Sequence, residues 1–149
     1  MTRQLDWIGC HKSSDDPAVV AVEIRLGVTL PLDFVAIAKQ CHGGHPRQNR
    51  FVYENPDMGP VATCFAELLS FDLTYKDNIV ETRDYLSNWL PSGIIPFAAD
   101  GGGDYICFDY RRSETSPTVL YWAHEWDLAD SLIPLCATFS DFLDLLEEP

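Results

Sequence analysis

Hydrophobic residues recur at helical spacing near the start of the chain, between start and stop signals for two helices. Asp16 stands before Pro17, an order typical of a helix N-terminus, and Gly27 marks the end of this helix. Pro31 begins a second helix, which the Gly-Gly pair at 43–44 ends. The pattern predicts apolar faces formed by Val19, Val22, Ile24, Leu26, Leu32, Val35, Ile37 and Ala38, with Phe34 within reach of the second face.

The middle of the chain combines short strand signals with one more helix. Residues 51–53 are typical of a short strand that ends at an Asn-Pro turn, whereas residues 61–73 fit a strand and a helix equally well. Asp77 is the expected cap of a helix that continues to Leu90, before a Pro-Ser-Gly stop. The apolar residues of this helix are Ile79, Val80, Tyr85, Leu86 and Trp89.

Three strand signals follow, separated by short connections. Residues 94–98 and 105–110 flank the loop Asp-Gly-Gly-Gly-Asp at 100–104, and residues 119–123 follow after a turn. Connections this short favour antiparallel hairpins, since parallel strands need a longer crossover. We therefore expect residues 96–110 to form a hairpin with the three glycines at its tip, where a tight bend needs positive φ angles.

The chain closes with a helix that has its own start signal. Thr138, followed three residues later by an acid, is typical of a capping box. The apolar residues of this helix are Phe139, Phe142, Leu143 and Leu146. Helices, then a strand meander, then a helix predict an α+β fold: a single domain over residues 1–149 with a mainly antiparallel sheet flanked by helices. Trp122 lies in an apolar strand and is expected to be buried.

The composition is that of a folded domain. The 149 residues are 46% hydrophobic, which is enough to form a core and excludes intrinsic disorder. No apolar run approaches the ~18 residues of a membrane span. The first residues lack the apolar segment and cleavage site of a secretion signal, so we expect a cytoplasmic protein.

The charge is strongly negative and unevenly distributed. The chain has 23 acidic and 10 basic residues, a formal net charge of −13. Residues 1–50 carry a net charge of +1, and residues 51–149 carry −14. Because this charge repels phosphate, we expect neither direct nucleic-acid binding nor an anionic membrane partner. The charge either attracts a cationic partner or serves solubility.

The cysteines and histidines do not indicate a metal or a cofactor. His42 and His45 lie three residues apart beside Cys41, but the glycines between them and the lack of a second pair nearby argue against zinc. Their expected place is a loop after a helix C-terminus, where histidine complements the helix dipole. The cysteines do not predict a disulfide framework and are mostly expected in the core, because they are odd in number and scattered over positions 10, 41, 64, 107 and 136.

Candidate catalytic groups are present, but nothing in the sequence brings them together. The glycine loop lacks a phosphate-binding or calcium-binding pattern, and its acids oppose an anion. Asp100 and Asp104 resemble a glycosidase pair only as far as any two nearby acids do. His124 and Glu125 could serve as a base, yet no nucleophile motif accompanies them. We therefore expect no enzymatic activity.

Three segments, in order, match a known family. Residues 26–34 have its Leu-Gly, Leu-Pro and acid-aromatic helix start, and this helix ends in Gly-Gly. Residues 94–109 contain its Ile-Pro-Phe-Ala and Asp-Gly-x-Gly-Asp hairpin. Residues 119–125 and 139–146 match its Trp-x-His-Glu strand and its closing helix. Over roughly residues 20–147, the chain resembles the SUKH superfamily, specifically the Smi/Knr-type domain.

This resemblance implies a non-enzymatic α+β binding scaffold, and it assigns no catalytic residue. Bacterial members typically neutralise toxins, often nucleases, delivered by neighbouring cells, and fungal members are regulatory interaction modules of cell-wall assembly. The resemblance and the charge together predict an immunity protein that masks a cognate basic toxin domain. The alternative is an intracellular regulatory or scaffolding module.

We predict the partner site at one edge of the sheet. The chain reverses direction twice after the loop at 100–104, so the end of the strand 119–123 returns to the same edge. Acids around an aromatic residue fit a cationic partner, because the aromatic residue anchors it and the acids speed association. The predicted contacts are an exposed tip formed by Asp100 and Asp104, together with Glu125, Trp126 as the anchor, and Asp127.

Overall fold

Two antiparallel sheets and five helices make up the structure, a computed structural model that describes residues 3–125 and 128–149, without the side chains of residues 128 and 129. The strands are β1 (Trp7–Ile8), β2 (His45–Pro46), β3 (Arg50–Asn55), β4 (Gly59–Leu68), β5 (Ile94–Asp100), β6 (Tyr105–Asp109), β7 (Thr118–Trp122) and β8 (Leu132–Cys136). The helices are α1 (Asp16–Leu26), α2 (Leu32–Cys41), α3 (Ile79–Leu86), α4 (Leu128–Ser131) and α5 (Phe139–Asp144).

The larger sheet is a meander in which β3 to β8 pair antiparallel in sequence order. The predicted hairpin is confirmed, with the three glycines between β5 and β6. Residues 61–73, which fitted a strand and a helix equally well, are mainly strand, because β4 includes them as far as Leu68. β8 was not predicted. It is an edge strand of the sheet, and an edge strand tolerates Pro134, which has no N–H to donate. This topology confirms the expected α+β fold.

Side-chain caps start three of the helices, two of them one residue away from the predicted position. Asp15, not Asp16, accepts from the backbone N–H of Ala18 at 2.9 Å. Asn78, not Asp77, caps α3, which ends at Leu86 and not at Leu90. The side chain of Thr138 accepts from Asp141 N at 3.1 Å, as the capping pattern predicted. In both helices two adjacent residues are able to cap, and the local backbone geometry decides which of them does so.

The main core is centred on Phe34 of α2, which is fully buried. Its ring meets four other rings edge-on at centroid distances of 5.1–5.8 Å, those of Phe71, Phe97, Phe108 and Phe139. Leu32 was expected on this face but is 85% exposed. The reason is geometric: residues two apart on a helix differ in direction by about 200°.

A second, smaller cluster lies on the opposite face of the sheet. Along β6 and β7 the side chains alternate, so Ile106 and Tyr121 face the main core, whereas Cys107 and Trp122 face the second cluster. Leu86 and others near the end of α3 pack against it. Trp122 is 6% exposed, as predicted for an apolar strand.

The N-terminal segment is attached by strand pairing and by a disulfide bond that was not expected. β1 pairs with β2, and the backbone N–H of His11 donates to the carbonyl of His42 at 2.9 Å. This pairing brings the α-carbons of Cys10 and Cys41 to 4.5 Å, and their sulfurs are bonded. Sequence spacing could not reveal the pair, because the two cysteines are 31 residues apart and only the fold joins them.

We predict that Phe34→Ala lowers the free energy of unfolding by about 3–5 kcal/mol, the usual cost of removing a buried aromatic ring. The measurement is urea denaturation followed by circular dichroism. Leu32→Ala is the matched control from the same helix turn, and its effect should stay within about 0.5 kcal/mol because the side chain is exposed. Equal losses for the two variants would contradict the assignment of Phe34 as the centre of the core.

Candidate functional site

The loop at 100–104 and the end of β7 lie together at one edge of the larger sheet, as expected. Tyr105 pairs with Trp122, so the residues just before β6 and just after β7 are neighbours. The backbone N–H of His124 donates to Asp104 at 2.9 Å, and the His124 ring is hydrogen-bonded to the same carboxylate. Glu125 is exposed beside them. The predicted contacts Trp126 and Asp127 lie outside the described residues.

Asp100 is not at an exposed tip, and this part of the prediction is wrong. Its carboxylate is buried, with the residue 6% exposed. It accepts from the backbone N–H groups of Gly102 at 2.9 Å and Asp104 at 2.8 Å, and from the hydroxyl of Thr63 at 2.9 Å. The Tyr121 hydroxyl completes this set. A buried carboxylate needs such donors to replace its lost hydration, which is why it turns inward.

Asp104 is partly buried and continues the same network. Its side chain is 16% exposed, and one oxygen lies 2.9 Å from the Tyr121 hydroxyl. Burial, followed by the neighbouring Asp100, raises the pKa of Tyr121 well above its usual value, so the hydroxyl stays protonated and can donate. Tyr53 of β3 stacks on Tyr121 with ring centroids 4.2 Å apart. The two predicted acids, Asp100 and Asp104, therefore hold this edge of the sheet together by hydrogen bonds within the protein.

Two positions of the loop need glycine, one because of its backbone conformation and the other because of close packing. Gly103 has a φ of +90°, which confirms the expected positive φ angle at the tip. A side chain at Gly101 would start 2.5 Å from the sulfur of Cys64. The loop thus bends tightly over β4, and its N–H groups point at the buried Asp100 carboxylate.

His42 has a structural place that the sequence did not reveal. It is buried, with Nδ1 2.8 Å from the Ser70 hydroxyl and Nε2 2.8 Å from the carbonyl of Lys12. The Ser14 hydroxyl lies 3.0 Å from the same Nε2. These contacts join the N-terminal segment to the sheet. Across the described ranges, no group of three or more His, Cys, Asp or Glu side chains is arranged to hold a metal ion.

A groove that the sequence did not predict runs beside the acidic edge, between α3 and the glycine loop. Tyr85 and Trp89 were predicted among the apolar residues of this helix, but they are 71% and 55% exposed, with ring centroids 5.8 Å apart. Tyr105 stacks on Trp122 at 6.2 Å, and Trp122 meets His124 edge-on at 6.3 Å. We name this groove the aromatic cleft; it is lined by Tyr85, Leu86, Trp89, Gly103, Tyr105, Trp122 and His124.

Acidic side chains lie outside the lining of the aromatic cleft, on its sheet side. Glu67 pairs with Ala99, Ala99 with Tyr105, and Tyr105 with Trp122, so these residues form one row on the same face. Burial, followed by the neighbouring charge of Asp77, raises the pKa of Glu67. Burial and the charges of Asp77 and Glu67 also raise the pKa of Tyr105. Negative potential therefore reaches the floor of the cleft.

The family described as SMI1 / KNR4 family (SUKH-1) matches residues 14–145, which is most of the chain. No individual curated protein matches. None of the described helices has the length and hydrophobicity that a membrane-spanning helix needs.

We predict that Asp100→Ala lowers the free energy of unfolding by about 3 kcal/mol, because it leaves several donors without their acceptor. The measurement is urea denaturation at neutral pH. Glu125→Ala serves as the control from the same edge, and its effect should be within about 0.5 kcal/mol because Glu125 is exposed. An Asp100→Ala protein as stable as the control would show that the network contributes nothing.

We also predict a pH dependence of stability that originates at His42. Burial lowers the pKa of His42 below the model-peptide value of 6.5, so between these two values the unfolded chain binds more protons than the folded one. The free energy of unfolding should therefore fall as the pH drops through 6.5 toward the folded pKa. His42→Gln keeps a polar side chain but does not titrate, and should flatten this slope between about pH 7 and 5.5. Identical slopes in the two proteins would contradict the assignment.

Proposed function

Because the chain belongs to the SMI1/KNR4 (SUKH-1) family, we propose that it is a non-enzymatic immunity protein that neutralises a cognate basic toxin domain. It does so by binding the toxin domain and masking the surface on which the toxin acts. A nuclease toxin is one such basic target, since a domain that grips phosphate carries positive charge.

The observation that carries this proposal is the exposed negative charge of residues 51–149. Most acids of this region have exposed side chains, and the region contains only four basic residues. Two of these, Arg83 and Arg111, form ion pairs with Asp84 and Asp109. The exposed acids without an ion pair to lysine or arginine, among the described residues of this region, are Glu54, Asp57, Asp77, Glu81, Glu114, Glu125, Asp130, Asp141 and Asp144.

A surface of this kind favours rapid capture of a cationic protein. Complementary charge raises association rates by orders of magnitude at low salt, and a toxin has to be captured before it acts. The lining of the aromatic cleft supports binding over hydrolysis. It includes His124, which is hydrogen-bonded to Asp104, but the described residues that line it include no serine or cysteine nucleophile.

The direct test is co-expression with a candidate toxin domain taken from the genes that neighbour the one for this chain. We expect cells that carry both proteins to survive induction of the toxin, and the two proteins to co-purify in a fixed ratio. The association rate, measured by stopped-flow fluorescence, should fall by about tenfold or more between 50 and 500 mM NaCl, because salt screens the acidic surface.

A control shows whether binding depends on the toxin's activity. A toxin variant without catalytic activity should bind equally well, since masking does not need turnover. Cell death together with failure to co-purify would contradict the immunity function. A stable complex with a host regulatory protein, without protection from any toxin, would support the scaffolding alternative instead.

A further inference from the structure

The aromatic cleft exposes large aromatic side chains that the fold itself does not need. Tyr85 lies near the end of α3, Trp89 lies in the turn that follows it, and both side chains are more than half exposed. Leu86 and Leu90, on the inner side of the same segment, already cover the second cluster of the sheet. Exposed tryptophan and tyrosine beside a buried aromatic floor are typical of binding surfaces, where these residues contribute most of the affinity.

Acidic residues lie near this aromatic surface on two sides. Glu67 lies two strands from Tyr105 in the same row, about 10 Å away at normal strand spacing. The charge of Asp77 acts on both Glu67 and Tyr105, and Asp104 is hydrogen-bonded to His124 at the opposite rim. The described residues that line the cleft include no lysine, arginine or acid, so the field inside it comes from the acids around it. A cation is therefore the ligand that both the rings and the acids favour.

On the basis of the proposed function, we propose that the aromatic cleft receives an arginine or lysine side chain of the basic partner protein. A cation within about 6 Å of an aromatic face is attracted by the ring, most strongly by tryptophan. A guanidinium also stacks flat on aromatic rings while its N–H groups reach neighbouring carboxylates. The exposed Trp89 and the floor of Tyr105 and Trp122 supply the rings. Glu67 and Asp77, whose charges act on Tyr105, supply the negative potential beside them.

Other occupants fit the cleft less well. A second copy of the chain would bring two molecules of net charge −13 together, each with acids at the contact. A nucleic acid could stack bases on the rings, but its phosphates would face the same acids. The basic segment of a partner protein is the one occupant that satisfies both features.

The experiment uses the full ¹⁵N-labelled chain and two short peptides. One peptide is acetyl-Gly-Gly-Arg-Gly-Gly-amide, and the other has the uncharged isostere citrulline at the centre. We expect the arginine peptide to cause saturable NMR shifts in the indole N–H of Trp89 and Trp122 and in the amide of Gly103. The citrulline peptide should bind about tenfold or more weakly.

Matched variants test the location of binding. Trp89→Ala and Tyr85→Ala should abolish the saturable shifts, and both should fold because the side chains are exposed. Leu32→Ala removes an exposed apolar side chain elsewhere, and Glu114→Gln removes an exposed acid that does not line the cleft. Neither of these two controls should change the binding.

Each contrary result overturns the proposal. Shifts spread over the acidic surface, or unchanged in Trp89→Ala, would mean nonspecific attraction. Equal binding of the citrulline peptide would mean an apolar groove, and concentration-dependent shifts without peptide would mean a second copy.

A further experiment tests separately whether the aromatic cleft binds the partner and whether the chain is an immunity protein. Against the toxin domain, Trp89→Ala should weaken the complex about 30-fold, whereas Leu32→Ala should not. Full protection and unchanged affinity in Trp89→Ala would remove the cleft while leaving the immunity function intact. Selective binding of the arginine peptide without protection from any toxin would do the reverse.

Discussion

The buried Asp100 carboxylate is the constraint on which the candidate site depends. A charge removed from water must be matched by donors, and here these come from three parts of the chain: Thr63 of β4, the glycine loop and Tyr121 of β7. Satisfying one carboxylate therefore fixes the loop, joins three strands and sets where Asp104 lies. Asp104 in turn positions His124, which forms one rim of the aromatic cleft.

This arrangement divides the acids of the chain into two kinds. Asp100 and Asp104 are turned toward protein donors and stabilise the sheet edge. The acids on exposed loops and helices are free to create the long-range field that a cationic partner would meet. The aromatic cleft lies where the two kinds meet.

Some features of the fold could be predicted from sequence because they depend on local chemistry. The cap at Thr138, the stop at Gly27 and the glycine hairpin each need only a few adjacent residues. Other predictions were wrong, because a pattern of hydrophobic residues does not show which of those side chains the tertiary structure buries. Leu32 and Phe34 compete for one helix face, and Tyr85 and Trp89 match helical spacing but face outward.

The sequence by itself determined the α+β class, the antiparallel meander, the family resemblance and the excess of negative charge, because these follow from composition and from near neighbours in the chain. Only the tertiary structure decided that Asp100 is buried, that Cys10 meets Cys41, and that aromatic side chains from α3, β6 and β7 form one cleft. Each of these joins residues tens of positions apart. Their proximity depends on strand order and register, which the cooperative packing of the whole chain selects.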